Sequence, residues 1–93
     1  MFERILNRMR EKVRALQYVM TIHAEEEMND DGLSIFDVEQ VILTGQIVER
    51  QREAETDEWK YLIQGKSTEG VDAVVVSKLS PVGSLVIITV YVE

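Results

Sequence analysis

The first sixteen residues place apolar side chains at the three- and four-residue intervals of a helix. The apolar positions are Phe2, Ile5, Leu6, Met9, Val13 and Leu16. Most residues between them are arginine, lysine or glutamate, which form helices well. The pattern predicts an amphipathic first helix whose apolar stripe covers the core of the protein rather than a membrane surface.

Two further helices are predicted from the residues at their ends. Thr21 can cap a second helix, and Gly32 ends it because glycine adopts the left-handed conformation without penalty. Ser34 caps a third helix, since Ser34 and Asp37 have the spacing of a capping box. Gly45 ends this third helix. The sequence therefore predicts two to three helices in the N-terminal half.

After Gly45 the pattern changes to the two-residue alternation of strands. In the first strand Ile47 and Glu49 are expected on one face, with Arg50 and Arg52 on the other. Three further segments are rich in β-branched and aromatic residues: Trp59–Gln64, Val71–Leu79 and Leu85–Val92. The connections are too short for crossover helices, so the strands are expected to be antiparallel neighbours.

These elements predict a single α+β domain over residues 1–93. Its two to three N-terminal helices are expected to pack on one face of a four-stranded antiparallel sheet. Residues 17–20 are predicted to be a short break between the first two helices, for which an extended conformation is one option. The longest apolar segment, Leu85–Val92, is too short to span a membrane, and no signal peptide pattern precedes the first helix. We expect a soluble, cytoplasmic protein.

Charge is distributed unevenly along the chain, whose formal net charge is −7. A negative net charge disfavours general binding of nucleic acid through its phosphates. However, residues 4–14 are rich in arginine and lysine, and residues 25–39 hold seven acidic residues without any lysine or arginine. Two interpretations are open. These are solvated helix faces of opposite sign, or an acidic docking surface lies apart from a small basic cleft.

His23 is the only histidine in the chain. Five acidic residues follow it within eight positions: Glu25, Glu26, Glu27, Asp30 and Asp31. The chain has no cysteine, so no thiolate is present to bind a metal beside the single imidazole. We therefore expect neither a metal site nor a cofactor. The structural alternative for His23 is a polar side chain near the start of a helix, bonded to a glutamate one turn later.

A second group of polar residues lies on the predicted strands. Metal-independent RNA cleavage needs a base, an acid and cations that balance the charge on phosphorus. The residues that can supply these are His23, Arg50, Arg52, Tyr61 and Tyr91, provided that strand pairing gathers them around one groove. The alternative is that both tyrosines belong to the core and that the charges form cross-strand pairs.

The order of motifs along the chain resembles a known family. The residues from Thr21 onward read T-x-H-A-x-x-x-M-x-x-x-G-L-S-x-x-D-V-E-x-V-I-x-x-G-x-I-V-E, followed by K-Y-L-I-x-G, a valine-rich strand and a closing I-I-T-V-Y that ends at Tyr91. This pattern resembles domain-of-unknown-function family 4258, which is distantly similar to the RelE-like and BrnT-like toxins. Those are small α+β proteins, many of them ribonucleases, and a partner protein encoded beside them neutralises each one.

The resemblance implies roles for particular residues. The positions that match are His23, Met28, Gly32, Ser34, Asp37, Gly45, Tyr61 and Tyr91, of which only the histidine and the tyrosines are suited to chemistry. We expect the toxin of a toxin–antitoxin pair with metal-independent endoribonuclease activity. In this role His23 is the general acid and base, Arg50 and Arg52 bind phosphate, and the tyrosines orient the RNA.

The chain departs from the family at two positions of the second helix. Glu27 and Asp31 stand where typical members have arginine, so a phosphate would be repelled beside His23. The alternative function is therefore a non-catalytic module whose acidic helices dock a basic protein partner. The expected partners are an antitoxin-like protein and RNA. A homodimer through strand Leu85–Val92 is also expected if that strand lies at the edge of the sheet.

Overall fold

Three helices and five strands make up the fold. A computed structural model of the chain describes all 93 residues. In chain order, the elements are α1 (Glu3–Arg14), β1 (Tyr18–Met20), α2 (Ile22–Asp30), α3 (Ile35–Thr44), β2 (Gln46–Arg52), β3 (Trp59–Lys66), β4 (Asp72–Leu79) and β5 (Leu85–Val92). The sheet has the spatial order β1-β5-β4-β3-β2, and the helices enclose a single core against it. None of the helices has the length and apolarity needed to cross a membrane.

The sheet is mixed, which corrects the predicted four-stranded antiparallel arrangement. Strands β2 to β5 pair antiparallel as expected, but β1 adds a fifth strand that runs parallel to β5. Its pairs extend from Tyr18 with Leu85 to Met20 with Ile87. A strand of three residues is too short to show an alternating pattern, so the sequence predicts only a short break between the helices here. As a result the first half of β5 lies inside the sheet, and a homodimer through a free β5 edge is not available there.

The ends of α2 and α3 confirm the predicted caps. Thr21 accepts a hydrogen bond from the backbone N–H of Ala24 at 3.0 Å, and Ser34 and Asp37 form a complete capping box. Gly32 has a φ of +70°, and its N–H and that of Leu33 both bond back to the last turn of α2. This is the glycine-dependent Schellman ending, in which left-handed backbone satisfies carbonyls at the helix terminus.

The junction between α3 and β3 depends on two glycines in close contact. A Cβ atom on Gly45 would overlap the backbone carbonyl of Gln64, and one on Gly65 would lie 3.0 Å from the Cα of Gly45. Arg10 of α1 reaches the same point and donates to the Gly45 carbonyl at 2.7 Å. Gly45 and Gly65 therefore let α3 lie directly on β3, and Arg10 ties α1 to the end of α3.

Helix α1 packs largely as the pattern predicts. Leu6, Met9 and Val13 are buried in the core. Leu16 is an exception, because α1 ends at Arg14 and Leu16 adopts a positive φ of 56° with 73% of its surface exposed. The prediction that Leu16 belongs to the core stripe was wrong, since the helix ends before the next turn is complete.

A bulge in β2 changes which face its arginines occupy. The register against β3 shifts at Val48, which is the extra residue of the bulge. Beyond it Arg50 lies directly opposite Tyr61, a core residue, and Arg52 follows on the same face. The predicted pairing of these arginines on one face is confirmed, but they lie on the face of Ile47 rather than opposite it. Strict alternation failed because the bulge adds one residue.

Candidate functional site

His23 lies away from the strand arginines. It is on α2, which packs on β5 and β1, whereas Arg50 and Arg52 are on β2 at the opposite edge of the sheet. Three strand spacings separate β5 from β2, or about 14 Å. The His23 side chain is 67% exposed, and its Nε2 lies 3.2 Å from the Glu27 carboxylate. The expected convergence of His23 and the arginines is therefore wrong, because α2 packs on β5 and β1 and not on the β2 side of the sheet.

Tyr91 also lies apart from the other candidates. It pairs with Val74 on β4, whereas the neighbouring pair, Val75 with Val90, faces the core under the helices. Tyr91 must therefore point to the opposite, helix-free face of the sheet, where 38% of it is exposed. Tyr61 belongs to the core face, so the two tyrosines do not share a site. No group of three or more histidine or carboxylate side chains is placed to hold a metal ion.

The structure does bring Arg50, Arg52 and Tyr61 together, and it adds Trp59 to them. The guanidinium carbons of Arg50 and Arg52 lie 4.0 Å and 4.4 Å from the centre of the Trp59 ring. Such contacts are attractive because the ring face is electron-rich. Arg52 is also paired with Asp57 at 2.7 Å, whereas Arg50 has no carboxylate partner. Trp59 therefore holds both guanidinium groups in place and leaves Arg50 free to bind an anion.

Helix α1 supplies the second wall of this site. Arg4 and Arg8 lie one turn apart on the helix, and with Arg50 they line a concavity of about 310 Å³ beside Tyr61 and Phe2. We call this concavity the arginine groove. The Phe2 and Tyr61 rings meet edge to face, with centres 6.0 Å apart. Arg4, Arg8 and Arg50 make no ion pair and no side-chain hydrogen bond with the rest of the chain.

The arginine groove continues into a second concavity. This one has a volume of about 320 Å³ and shares Arg8, Ile5 and Tyr61 with the first. Trp59 and Leu79 also line it. Asp57 and Glu58 line it as well. The two concavities adjoin one another between α1 and the β2–β3 side of the sheet, and we call them together the channel. Its first end is basic, and its second end is aromatic and apolar with two carboxylates.

Sequence reasoning did not identify Arg4 and Arg8 as candidate site residues. Both lie between the apolar positions of α1, where charged residues are ordinarily solvated. Their one-turn spacing is a local signal that they share a face. That signal does not say which edge of the sheet the helix crosses, so it could not associate them with Arg50.

The acidic residues of α2 have a structural role at the other side of the sheet. Strand β1 covers β5 only as far as Ile87. Beyond that point the Glu27 carboxylate accepts a hydrogen bond from the Val90 N–H at 3.2 Å, and Asp31 accepts one from the Val92 N–H at 3.2 Å. Glu27 and Asp31 therefore satisfy the backbone donors of an otherwise open strand edge.

Together, the fold and site define a small α+β protein with a channel that is rich in arginine at one end and lined by aromatic, apolar and acidic residues at the other. The chain belongs to the family described as Domain of unknown function (DUF4258), whose model matches residues 20–92. The matched region includes the Gly45–Gly65 junction, Arg50 and Tyr61, but not α1 with Arg4 and Arg8. Searches of curated proteins and of solved structures found no match.

Proposed function

We propose that the protein binds single-stranded RNA in the arginine groove, as the toxin-like member of a two-protein module. The observation that carries the proposal is the convergence of Arg4, Arg8 and Arg50, all without a carboxylate partner, in a chain of net charge −7. Cations that repel one another at an uncompensated site are suited to an anionic ligand. A phosphate backbone supplies that charge at repeated intervals.

Aromatic rings beside the cations favour a single strand as the ligand. Unpaired bases can stack on aromatic side chains or on guanidinium planes, whereas the bases of a duplex are already stacked. Phe2 and Trp59 lie along the channel next to the three free arginines, whereas Tyr61 is buried beneath them. The acidic surface elsewhere limits the footprint to a few phosphates, so the affinity is expected to be modest and strongly dependent on salt.

Trp59 gives a direct test, because it is the only tryptophan in the chain and lies in the channel. A short single-stranded RNA should change its fluorescence on titration. Three phosphate contacts give a slope of about −2 for log K against log salt, and Arg50→Gln or Arg8→Gln should reduce that slope by about 0.7 each. Arg14→Gln removes the same charge at the far end of α1 and should leave binding unchanged. If all three substitutions changed RNA binding equally, the arginine groove would not be the binding site.

Toxicity and RNA cleavage require a separate experiment. The arginine groove contains cations that can balance charge on phosphorus, and the Tyr61 ring, but it contains no imidazole. Under tight induction we expect the unaltered protein and His23→Ala to arrest growth and degrade RNA equally. Arg8→Gln and Arg50→Gln should be harmless. Loss of toxicity in His23→Ala alone would instead support catalysis at α2.

A second candidate function is the docking of a basic partner protein on the acidic helices. Glu25, Glu26 and Asp30 are exposed and have no ion pair with lysine or arginine. A purified candidate partner, such as the product of an adjacent reading frame, should lose binding when these three residues are changed to lysine. Glu27 must be kept, because it bonds to β5. Glu55→Lys, in the exposed β2–β3 connection, is the control for a change of charge elsewhere.

A further inference from the structure

The two outer strands of the sheet differ in how they resist pairing with another chain. The edge strand β2 carries a bulge at Val48 and the charged residues Glu49, Arg50 and Arg52, which are devices that block strand addition. The other edge strand, β1, consists of Tyr18, Val19 and Met20 and has neither charge nor bulge. β1 is therefore protected against pairing only by its three-residue length.

The backbone of β1 has groups available for a further strand. Its ladder to β5 begins with the Leu85 N–H bonded to the Gln17 carbonyl and ends with the Thr21 N–H bonded to the Ile87 carbonyl. In a parallel ladder the bonds alternate along the strand, so Val19 makes the intervening pair. The N–H and C=O groups of Tyr18 and Met20 consequently point outward from the sheet.

Apolar side chains surround this edge. Leu16, Val19 and Val82 are 73%, 57% and 89% exposed, and they line one concavity of about 440 Å³ with Lys12. Leu16 is exposed and also holds a left-handed backbone conformation, which is unfavourable for a non-glycine residue. Glycine or asparagine would suit that position in a monomer, so the leucine has no evident role within the single chain.

We propose that β1 pairs antiparallel with β1 of a second copy, across a two-fold axis at Val19. In that register Val19 faces its own copy and Tyr18 pairs with Met20 of the second copy. The exposed Leu16 and Ile22 flank this short ladder at its two ends. Ile22 is itself 76% exposed. The surface is thus self-complementary, which a symmetric dimer requires, and pairing would join the two sheets into one of ten strands.

Charge also fits this two-fold arrangement. Lys12 lies at the beginning of β1, beside the concavity, whereas Glu25 and Glu26 follow β1 in the first turns of α2. Antiparallel pairing places the beginning of one β1 against the end of the other, so Lys12 of each copy approaches the acidic turns of its neighbour. The arginine groove lies at the opposite edge and stays open, so the dimer is independent of RNA binding.

Sedimentation velocity over a wide concentration range tests the proposal. A 10.7 kDa monomer should convert to a species of twice that mass as concentration rises. Val19→Lys places two like charges face to face and should raise the dissociation constant on the order of a hundredfold. Val48→Lys makes the same change on the β2 edge and should have no effect. A monomer at every concentration, or a dimer sensitive only to Val48→Lys, would overturn the proposal.

Two further variants keep the result independent of misfolding. Leu16→Gly relieves the left-handed backbone and so should not destabilise the monomer, yet it should weaken the dimer because it removes exposed apolar surface at the end of the β1 ladder. Lys12→Glu alone, and Glu25→Lys with Glu26→Lys, should each lose self-association. Mixed together, these two proteins should form a heterodimer because each contact again joins opposite charges. A mixture that stays monomeric would rule out the proposed register.

Discussion

The two sides of the sheet use charged side chains in opposite ways. At the β5 side, Glu27 and Asp31 accept hydrogen bonds from the backbone of a partly covered strand. At the β2 side, Arg50 and Arg52 stack on Trp59, and Arg50 keeps its hydrogen-bond donors free. The acidic residues that look like a docking surface in the sequence are partly structural. The basic residues that look like a solvated helix face are the ones left open to a ligand.

This difference separates two kinds of charge that composition cannot distinguish. A carboxylate bonded to backbone N–H groups contributes to folding, and its replacement should lower stability. The guanidinium groups of Arg4 and Arg8, which have neither an ion pair nor a stacking partner, contribute little to folding, and their replacement should alter binding instead. Substitutions on the two sides should therefore separate into stability and binding effects.

The largest effect is expected at the junction that supports the β2 side. Gly45→Ala should lower the free energy of unfolding by about 2 to 3 kcal/mol, because the added methyl overlaps the backbone of β3 and cannot move aside. Gly32→Ala meets no atom and should cost only about 1 kcal/mol through its positive φ. Urea denaturation measures both. A smaller cost for Gly45→Ala than for Gly32→Ala would contradict the close packing of α3 on β3.

The β5 side should weaken when its edge donors lose their partners. Glu27→Ala is expected to cost about 1 to 2 kcal/mol, because the Val90 N–H then lacks a charged acceptor. Hydrogen exchange at the Val90 amide should accelerate. Glu27→Gln keeps an oxygen that can accept this bond and should restore most of the stability, while Glu25→Ala should have little effect. Unchanged exchange at Val90 in the alanine variant would show that Glu27 is not the acceptor.

Asp37 stabilises α3, the helix that packs on the central strands β3 and β4. Hydrogen bonds from the Ser34 backbone and from Thr68 lower the pKa of Asp37 from 3.8 to about 2. Because the folded-state pKa is lower than the unfolded one, this stabilisation is complete above about pH 4 and is lost as the pH falls towards 2. The loss should be on the order of 1 to 2 kcal/mol. Asp37→Asn should remove this part of the acid dependence in denaturation curves recorded across that range.

The smallest effect is expected at Tyr18, which joins β1 to α3. Burial raises the pKa of Tyr18 to about 12, and its hydrogen bond to Glu39 and the charge of Glu39 add to the rise. The stabilisation is therefore present below pH 10 and is lost as the pH rises from about 10 to 12. Tyr18→Phe should cost about 1 kcal/mol at neutral pH. In an ultraviolet titration, Tyr18→Phe should remove the tyrosine that ionises last; its persistence would argue against the Glu39 contact.

Local chemistry made much of the fold predictable. The Thr21 cap, the Ser34–Asp37 capping box and the Gly32 ending depend on residues within five positions of one another, and the structure has all three. The meander of β2 to β5 followed from short connections. β1 could not be predicted because its partner is distant in the sequence, and the face of Arg50 could not be predicted because a bulge leaves no local signature.

Only those residues of the candidate site that a β-hairpin brings together could be predicted from the sequence. Arg50 and Tyr61 meet because β2 and β3 are neighbours, which the sequence indicates. His23 was included because it is the only imidazole and matches the family pattern, but its place depends on which edge α2 covers. Arg4 and Arg8 enter the site through the packing of α1 across the sheet, which no local pattern specifies.

The parallel pairing of β1 with β5 has a consequence for the order of folding. Tyr18 and Leu85 are 67 positions apart (85 − 18), so their contact closes a loop that includes nearly all other elements. Such distant contacts carry a large entropic cost and form after local hairpins. We expect the β2–β5 meander to assemble first and β1 to join last. The surface on which we propose dimerisation would then exist only on fully folded chains, so partly folded intermediates could not associate through it.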